Sequence, residues 1–562
     1  MKRHMMLGDF LLSYLRKLGV EHVFGIPGDL ALKLFFTLGR KHGLHMITLS
    51  HEPGVGFAAD GYARATGRVG LICVTYGAGG HNLVNAVAGA YSERVPLLIF
   101  SGGPGEGERK LGTLIHHQAR EVESQLRIFK EVTCSAAVLT NPRTAAEDLH
   151  AVVKAVWAEQ RPGYIEIHRD MVDREIEVPA ELGEWDGRLH FPATTNSHRV
   201  QEAARETAAL WNASRQPILV VGIETRRYKL EREILTLAER LGAPVLSTFL
   251  AKGAFPMDHP LFMGVQIGEL SAPPIVERLK AADLMLNLGC ERTDMNYGNR
   301  PPHINYERTV WAAEHRVDIR FHSYTEVGIR DFVRELLRQD FKPRHEPVYY
   351  ADNLQGEPAL PRSPLRVRDL LRTVNDFLAQ HAGYAVIADS GDMLFAGMDI
   401  RVPNGGLYLA QGFYASMGFS VPAALGLQLG VKQRPLVMVG DGAFQMTGME
   451  IAHAPLLRLN PIVVVINNGG WQIFRPVVER PDLLAIPSWP YAKLGQDWGG
   501  RGFLANTVGE LQQALEEAHK GESFALIEAR LAMDDLSPVS LKYIEAAARR
   551  SRAPAQPARE PQ

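Results

Sequence analysis

The chain has 562 residues, 46% hydrophobic and 22% charged, with a net charge of −2. This is the balance of a globular protein of three or four domains, and it offers no electrostatic footprint for nucleic acid or an anionic membrane. Three widely spaced cysteines, Cys73, Cys134 and Cys290, form no CxxC, which excludes a disulfide framework and a structural zinc site; Cys73 and Cys134 read as buried thiols.

Met5–Leu18 is apolar but interrupted by Asp9, Arg16 and Lys17. It reads as an amphipathic helix rather than a secretion signal. No uncharged apolar run reaches the ~20 residues of a membrane span, so a cytoplasmic protein is expected. Residues 1–180 alternate helical stretches with candidate strands at Val20–Phe24, Met46–Leu49, Val69–Thr75, Leu97–Phe100 and Tyr164–His168, the pattern of a parallel sheet covered on both faces. Pro179–Asn196 is softer. The alternation resumes with a helix at 199–213, strand Pro217–Val221, a helix at 229–241, and strands Pro244–Thr248 and Leu284–Leu288. Pro343–Pro364, rich in proline and polar residues, reads as a linker. Strands Tyr384–Ala388, Pro435–Val439, Pro461–Ile466 and Ser523–Ala529 and a helix at Val539–Arg550 follow, and Ser551–Gln562 reads as a disordered tail. The expected fold is α/β: three doubly wound parallel-sheet domains at 1–180, 195–342 and 363–550, without an internal sequence repeat.

The strongest local signal is in the third unit. Strand Leu436–Val439 runs into Gly440-Asp441-Gly442, and after 24 residues strand Ile462–Ile466 runs into Asn467-Asn468. Ligands of α/β sheets gather outside the carboxyl ends of strands, so Asp441 and Asn468 should lie side by side. A carboxylate with an amide oxygen suits Mg²⁺, which takes few protein oxygens beside water and phosphate. Gly440 and Gly442 would let a diphosphate approach the backbone. Either half alone is a common surface turn; two halves, each closing an apolar strand, favour the site. In Ser50-His51-Glu52-Pro53, Pro53 fits a first helical turn and puts Glu52 at the helix start, where alone it reads as a charge favoured at a helix N-terminus.

In these motifs the chain resembles the thiamine-diphosphate enzymes. The resemblance implies that Mg²⁺ is held by Asp441, Asn468 and the carbonyl of Gly470, and that backbone around Gly391, Asp392, Gly442 and Ala443 holds the diphosphate. Glu52 would activate the cofactor through N1′ of its aminopyrimidine, and Gly54–Arg64 resembles the small-residue helix of the family. In Tyr414–Phe419, Met417 would wedge the bent cofactor and the carbonyl of Ala415 would bind its amino group. Gly25-Ile26-Pro27-Gly28-Asp29 and the pair His116-His117 match the 2-oxo acid decarboxylases and are typically lacking in acetolactate synthases. Asp29, His116 and His117 could pass protons near neutral pH.

The likeness also takes in Val74–Gly79, Asn85–Tyr91 and Glu224–Tyr228, spans nearly the whole chain, and is greatest to the phenylpyruvate and then the indolepyruvate decarboxylases. Phe474 stands where pyruvate and indolepyruvate decarboxylases carry a catalytic Glu, and Leu394 where one bacterial pyruvate decarboxylase type has Trp. With Ser390, Ile473 and Val477 they would line a pocket for aromatic or long aliphatic 2-oxo acids. The resemblance implies a homodimer at minimum, Glu52 of one subunit serving the cofactor of the other, and a homotetramer is expected. A carboligase of the acetolactate synthase type, a pyruvate decarboxylase and a catalytically silent thiamine-binding protein remain alternatives. Gly102–Gly107 does not fit GxGxxG, which argues against a nicotinamide site; it is expected to be a mobile segment that orders on substrate binding.

Overall fold

Apolar strands separated by helices must cross over to pair in parallel, and the computed structural model, which describes residues 3–191, 196–297, 306–354, 356–403 and 405–552, forms three such sheets. The N-terminal sheet has six parallel strands in the order His45–Thr48, His22–Gly25, Gly70–Val74, Leu97–Gly103, Gly163–His168, Ser135–Leu139. The C-terminal sheet has six in the order Tyr408–Ala410, Tyr384–Ala388, Arg434–Gly440, Ile462–Asn467, Ala525–Arg530, Arg501–Ala505. Numbered along each domain, both read 2-1-3-4-6-5. The two domains share one topology although no sequence repeat betrays it. In each, the strand order reverses between the first and third strands, and that switch point is where α/β sheets bind ligands.

The central sheet has seven strands. Phe262–Gln266, Val245–Thr248, Pro217–Val221, Leu284–Leu288 and Thr309–Ala313 are parallel, and Arg316–Ile319 and His322–Thr325 continue antiparallel. The two residues between Ala313 and Arg316, with Glu314 at φ 54°, are too few for a crossover and close a hairpin.

Most strands missed in the sequence are edge strands or short ones, such as Ser135–Leu139 and Tyr408–Ala410; Thr309–Ala313, buried between two neighbours in the central sheet, was missed as well. Arg3–Met6 pairs antiparallel with Glu175–Val178, so the first helix begins at Leu7 and ends at Lys17. The helix expected from residue 229 begins at Glu231, because Lys229 adopts a left-handed φ of 56° that separates it from the short helix Ile223–Arg227. Gly102–Gly107 is not a loop throughout: Gly102 and Gly103 end a buried strand, and Glu106–Lys110 forms a short helix tied by Arg109 to Glu166. The tail expected to be disordered lies, beyond Arg552, outside the described residues. All three cysteines are free, Cys73 and Cys290 buried and Cys134 partly so. Among the described residues no helix is long and apolar enough to cross a membrane.

The N- and C-terminal domains share one hydrophobic core. At its centre helix Glu52–Thr66 lies against helix Ser420–Gly430 almost backbone to backbone. A Cβ on Gly61 would sit 2.2 Å from the carbonyl oxygen of Ala423, and one on Gly426 would sit 1.8 Å from that of Ala58. Gly426→Ala is therefore expected to force the helices apart and cost at least ~1–3 kcal/mol, the usual range for overpacking. The measurement is the unfolding midpoint in denaturant. Gly107→Ala, whose added Cβ meets nothing within 4 Å, should leave the midpoint unchanged or raise it.

Candidate active site

Strands Arg434–Gly440 and Ile462–Asn467 are hydrogen-bonded neighbours, and their carboxyl ends bring the two halves of the motif together. The Asp441 carboxylate is buried. One oxygen accepts the N–H of Gly442 at 2.8 Å, and the other accepts those of Gly469 and Gly470 at 2.8 and 3.0 Å. Burial pushes its carboxyl up to about 6 in spite of these donors. Asn467 is taken up structurally, donating its amide to Glu528 at 3.0 Å. Asn468 is only partly buried and lies beside Asp441.

The glycines have distinct uses. A Cβ on Gly440 would meet nothing within 4 Å, and the same holds at Gly391, held at φ 106° after the neighbouring strand Tyr384–Ala388. These two open backbone faces flank the switch point. At Gly442 a Cβ would strike the Trp471 ring at 2.4 Å, so the packing of Trp471 requires a glycine there. Ala443 follows it, buried, in helix Asp441–Thr447. Gly470, at φ 141°, presses against the Leu484 carbonyl, where a Cβ would lie at 2.0 Å. Ser390 Oγ is buried there without a protein partner. An open glycine cradle, a buried carboxylate and an orphaned hydroxyl fit a metal-bound diphosphate.

Two residues that the sequence left unnoticed hold the Ala415–Met417 loop. Asp389, fully buried, accepts the N–H groups of Ser390, Gly418 and Ser420 and the Ser420 hydroxyl. Glu93, from the N-terminal domain, accepts the N–H groups of Phe413 and Tyr414 at 2.6 and 3.0 Å. Ala415 is held at φ 55°, a strained setting for a residue with a Cβ, and Met417 is 38% exposed. The Asp392 side chain turns away from the cradle to Ser537, accepting its N–H and hydroxyl ahead of helix Pro538–Arg552; only its backbone is left for a ligand. Leu394 is buried in the hydrophobic core, whereas Ile473, Phe474 and Val477 lie on the 3₁₀ segment Gln472–Val477, with Phe474 49% exposed.

The N-terminal switch point carries Asp29, after strand His22–Gly25. His116 Nε2 hydrogen-bonds one Asp29 oxygen, and His117 Nε2 lies 3.6 Å from the other. Burial opposes ionisation of Asp29, but the His116 hydrogen bond, the Leu30 N–H and the two histidines outweigh it and hold the carboxyl below its ordinary value. Glu52 begins its helix as expected and accepts a hydrogen bond from Asn82 at 2.8 Å. Within the chain it shares no hydrogen bond with Asp441, Asn468 or Gly470.

Two open glycine backbones beside a buried carboxylate, on the third of three α/β domains, are the arrangement that the resemblance to thiamine-diphosphate enzymes implies. Family models for thiamine pyrophosphate enzymes match in the same order: the N-terminal TPP binding domain over residues 5–128, the central domain over 204–339 and the C-terminal TPP binding domain over 389–529. The chain is 36% identical to an indole-3-pyruvate decarboxylase of Azospirillum brasilense, over 98% of this chain and 100% of the relative. It is 30% identical to pyruvate decarboxylase 2 of Oryza sativa subsp. indica, over 96% and 90%, and 30% identical to pyruvate decarboxylase 4 of Arabidopsis thaliana, over 96% and 90%. The chain belongs to the thiamine-pyrophosphate enzymes and, within them, to the 2-oxo acid decarboxylases, which release CO₂ without oxidation.

A cation needs Asp441 ionised, and burial favours its protonated form below pH about 6. Affinity for thiamine diphosphate with Mg²⁺ should therefore fall about tenfold for each pH unit below 6 and level off above 7. Calorimetry at low Mg²⁺ measures this, and Asp441→Ala should abolish both tight binding and the pH slope.

Proposed function

We propose that the enzyme prefers phenylpyruvate, indolepyruvate or a long straight-chain 2-oxo acid to pyruvate, releasing the corresponding aldehyde. The observation that carries this reading is Phe474, a half-exposed ring beside Ile473 and Val477 on the segment that follows the Asn467-Asn468 motif. The wall there is apolar and carries no proton-handling group. Helix Pro538–Arg552 packs over both this segment and the short helix Asp392–Ala396 that contains Leu394, and Tyr543 meets Phe395 at 4.5 Å between ring centroids. The Azospirillum relative, whose name gives indole-3-pyruvate as substrate, supports the same choice.

When bound, thiamine diphosphate supplies the nucleophilic carbon and the electron sink that decarboxylation needs. In this reading Asp441, Asn468 and the Gly470 carbonyl hold Mg²⁺, and the backbone at Gly440, Gly391, Asp392 and Ala443 receives the diphosphate. Met417 supports the ring system and the Ala415 carbonyl accepts from the amino group. Glu52 of one subunit shares a proton with N1′ of the aminopyrimidine in the site built on the C-terminal domain of the other. A homodimer is then the smallest active unit, and a homotetramer is the proposed assembly. Asp29 stays ionised, orients His116, and with His117 carries protons to and from the reacting substrate.

Glu52→Gln fills the same space but cannot accept the N1′ proton. It should keep cofactor binding and lower kcat by about 10²–10⁴-fold; near-normal exchange of the thiazolium C2 proton in this variant would sink the assignment. On substrate choice, each extra buried methylene contributes about 0.8 kcal/mol, so larger side chains gain in the transition state. Discrimination of about 10- to 200-fold per methylene leaves residual activity on short acids. Steady-state kinetics on pyruvate, 2-oxohexanoate, phenylpyruvate and indolepyruvate should rank pyruvate last in kcat/KM, and a preference for pyruvate overturns the reading.

A further inference from the structure

We propose that Asp29, His116 and His117 form a second metal site, selective for Zn²⁺ and similar transition metals, at which the bound ion arrests decarboxylation. The arrest rests on the reading of these residues as proton carriers; the binding does not. Among the described residues this is the one set of three or more His, Cys, Asp or Glu side chains whose ligand atoms converge, all lying within 4.8 Å of one another. Both Nε2 atoms face the same carboxylate, one on each oxygen. A cation seated among them would replace a shared proton rather than draw distant groups together.

The arms of the site are held in place. His117 has a left-handed φ of 66°, and its carbonyl lies so close to Gly77 that a Cβ there would sit 2.0 Å from it. The turn around it is closed by Gln118, which donates its N–H to the Ile115 carbonyl at 3.0 Å and accepts the Ile115 N–H at 3.2 Å. On the other side, Gly28 packs against Thr75, where a Cβ would lie 2.5 Å from the threonine. The side chains themselves are 37–55% exposed, so an ion reaches them without unfolding any part of the domain.

Ligand chemistry separates this site from the cofactor's Mg²⁺ site. Two imidazoles and one carboxylate are the borderline donors that Zn²⁺, Co²⁺ and Ni²⁺ prefer, whereas Mg²⁺ goes to the oxygen-only set around Asp441. The Asp29 carboxyl is held below its ordinary value, because the His116 hydrogen bond, the Leu30 N–H and the two histidines together outweigh burial. Thiols do not compete on equal terms: Cys73 and Cys290 are buried, and burial pushes the Cys73 thiol up to about 12. Three protein ligands leave at least one coordination position open, as in catalytic zinc sites. An imidazole nitrogen whose lone pair is bound to a metal neither accepts nor gives a proton, so an occupied site stops the proton transfers that accompany CO₂ loss and aldehyde release.

The test uses holoenzyme saturated with thiamine diphosphate and excess Mg²⁺ in a non-chelating buffer. Titration with zinc chloride in a calorimeter should show one saturable site per chain. Decarboxylation should fall in step with occupancy and return on adding a zinc-selective chelator. Asp29→Asn, His116→Gln and His117→Gln should each weaken Zn²⁺ binding by more than about 100-fold, since losing even an outer partner of a metal ligand costs 10–100-fold. Thermal unfolding and cofactor affinity of these exposed-site variants check that they are folded. If a variant fails that check, Co²⁺ added to the unaltered holoenzyme gives the same answer: visible absorption of a nitrogen- and oxygen-ligated ion without a thiolate charge-transfer band. Zn²⁺ binding that is absent, or unchanged in all three variants, overturns the site while leaving the decarboxylase reading intact. Saturable binding at the triad without loss of rate overturns the inhibition and counts against the proton-carrying role.

Discussion

Helices Glu52–Thr66 and Ser420–Gly430 touch through glycine and alanine, and this close approach positions both ends of the first helix against the C-terminal domain. At its last turn Arg64 is buried, pairs with Asp60 and Glu93, and donates to the Ala410 carbonyl at 3.0 Å. Glu93 in turn carries the N–H groups of Phe413 and Tyr414. At its first turn Ser50 donates its N–H to Glu450 at 3.0 Å and shares a 2.8 Å hydrogen bond with His453. A helix of larger residues would stand several ångströms further out, and none of these bonds across the domain boundary would form. The Ala415–Met417 loop thus owes its position to side-chain volume at Gly426 and at Gly61, the latter far from it in sequence.

Buried carboxylates do the corresponding work at the strand ends. Asp389, Asp441 and Glu450 are buried, and burial raises the carboxyl of each; each gathers backbone N–H groups of loops that no regular ladder satisfies. An unpaired buried N–H costs more than a hydrogen bond returns, so a carboxylate with several acceptor sites is an efficient way to close a tight loop. The price is a charge in a low-dielectric place. At Asp389 the donors include the Ser420 hydroxyl, and at Asp441 they are backbone N–H groups, but in both places burial outweighs them and raises the carboxyl.

Much of this was legible in the sequence. Continuous apolar runs marked the central strands, because parallel sheets covered on both faces need them, and the spacing of Gly440-Asp441-Gly442 and Asn467-Asn468 marked one end of the site. Glu93 and Glu450 were not legible, because their partners lie far away along the chain: Phe413 is 320 residues from Glu93, and Ser50 is 400 from Glu450. For Asp389 a signal existed, since it ends an apolar strand just as Asp441 does. Trp471 as the reason for a glycine at position 442 was not legible, because a glycine wanted by an indole ring and a glycine wanted by a ligand look alike in one dimension. The shared 2-1-3-4-6-5 order of the outer sheets was invisible because topology constrains where apolar runs fall, not which residues compose them.

That shared order bears on how the work is divided. A doubly wound sheet offers one crevice at its switch point. In the C-terminal domain the crevice is flanked by the bare backbone of Gly391 and Gly440, which suits an anion and its metal but leaves little room for titrating side chains. In the N-terminal domain the equivalent crevice carries Asp29, which His116 and His117 join from the loop after the fourth strand. Two crevices of one topology therefore present opposite surfaces, bare backbone in one and titratable side chains in the other. Glu52 is also on the N-terminal domain, where Asn82 donates to it, and within the chain it shares no hydrogen bond with Asp441, Asn468 or Gly470.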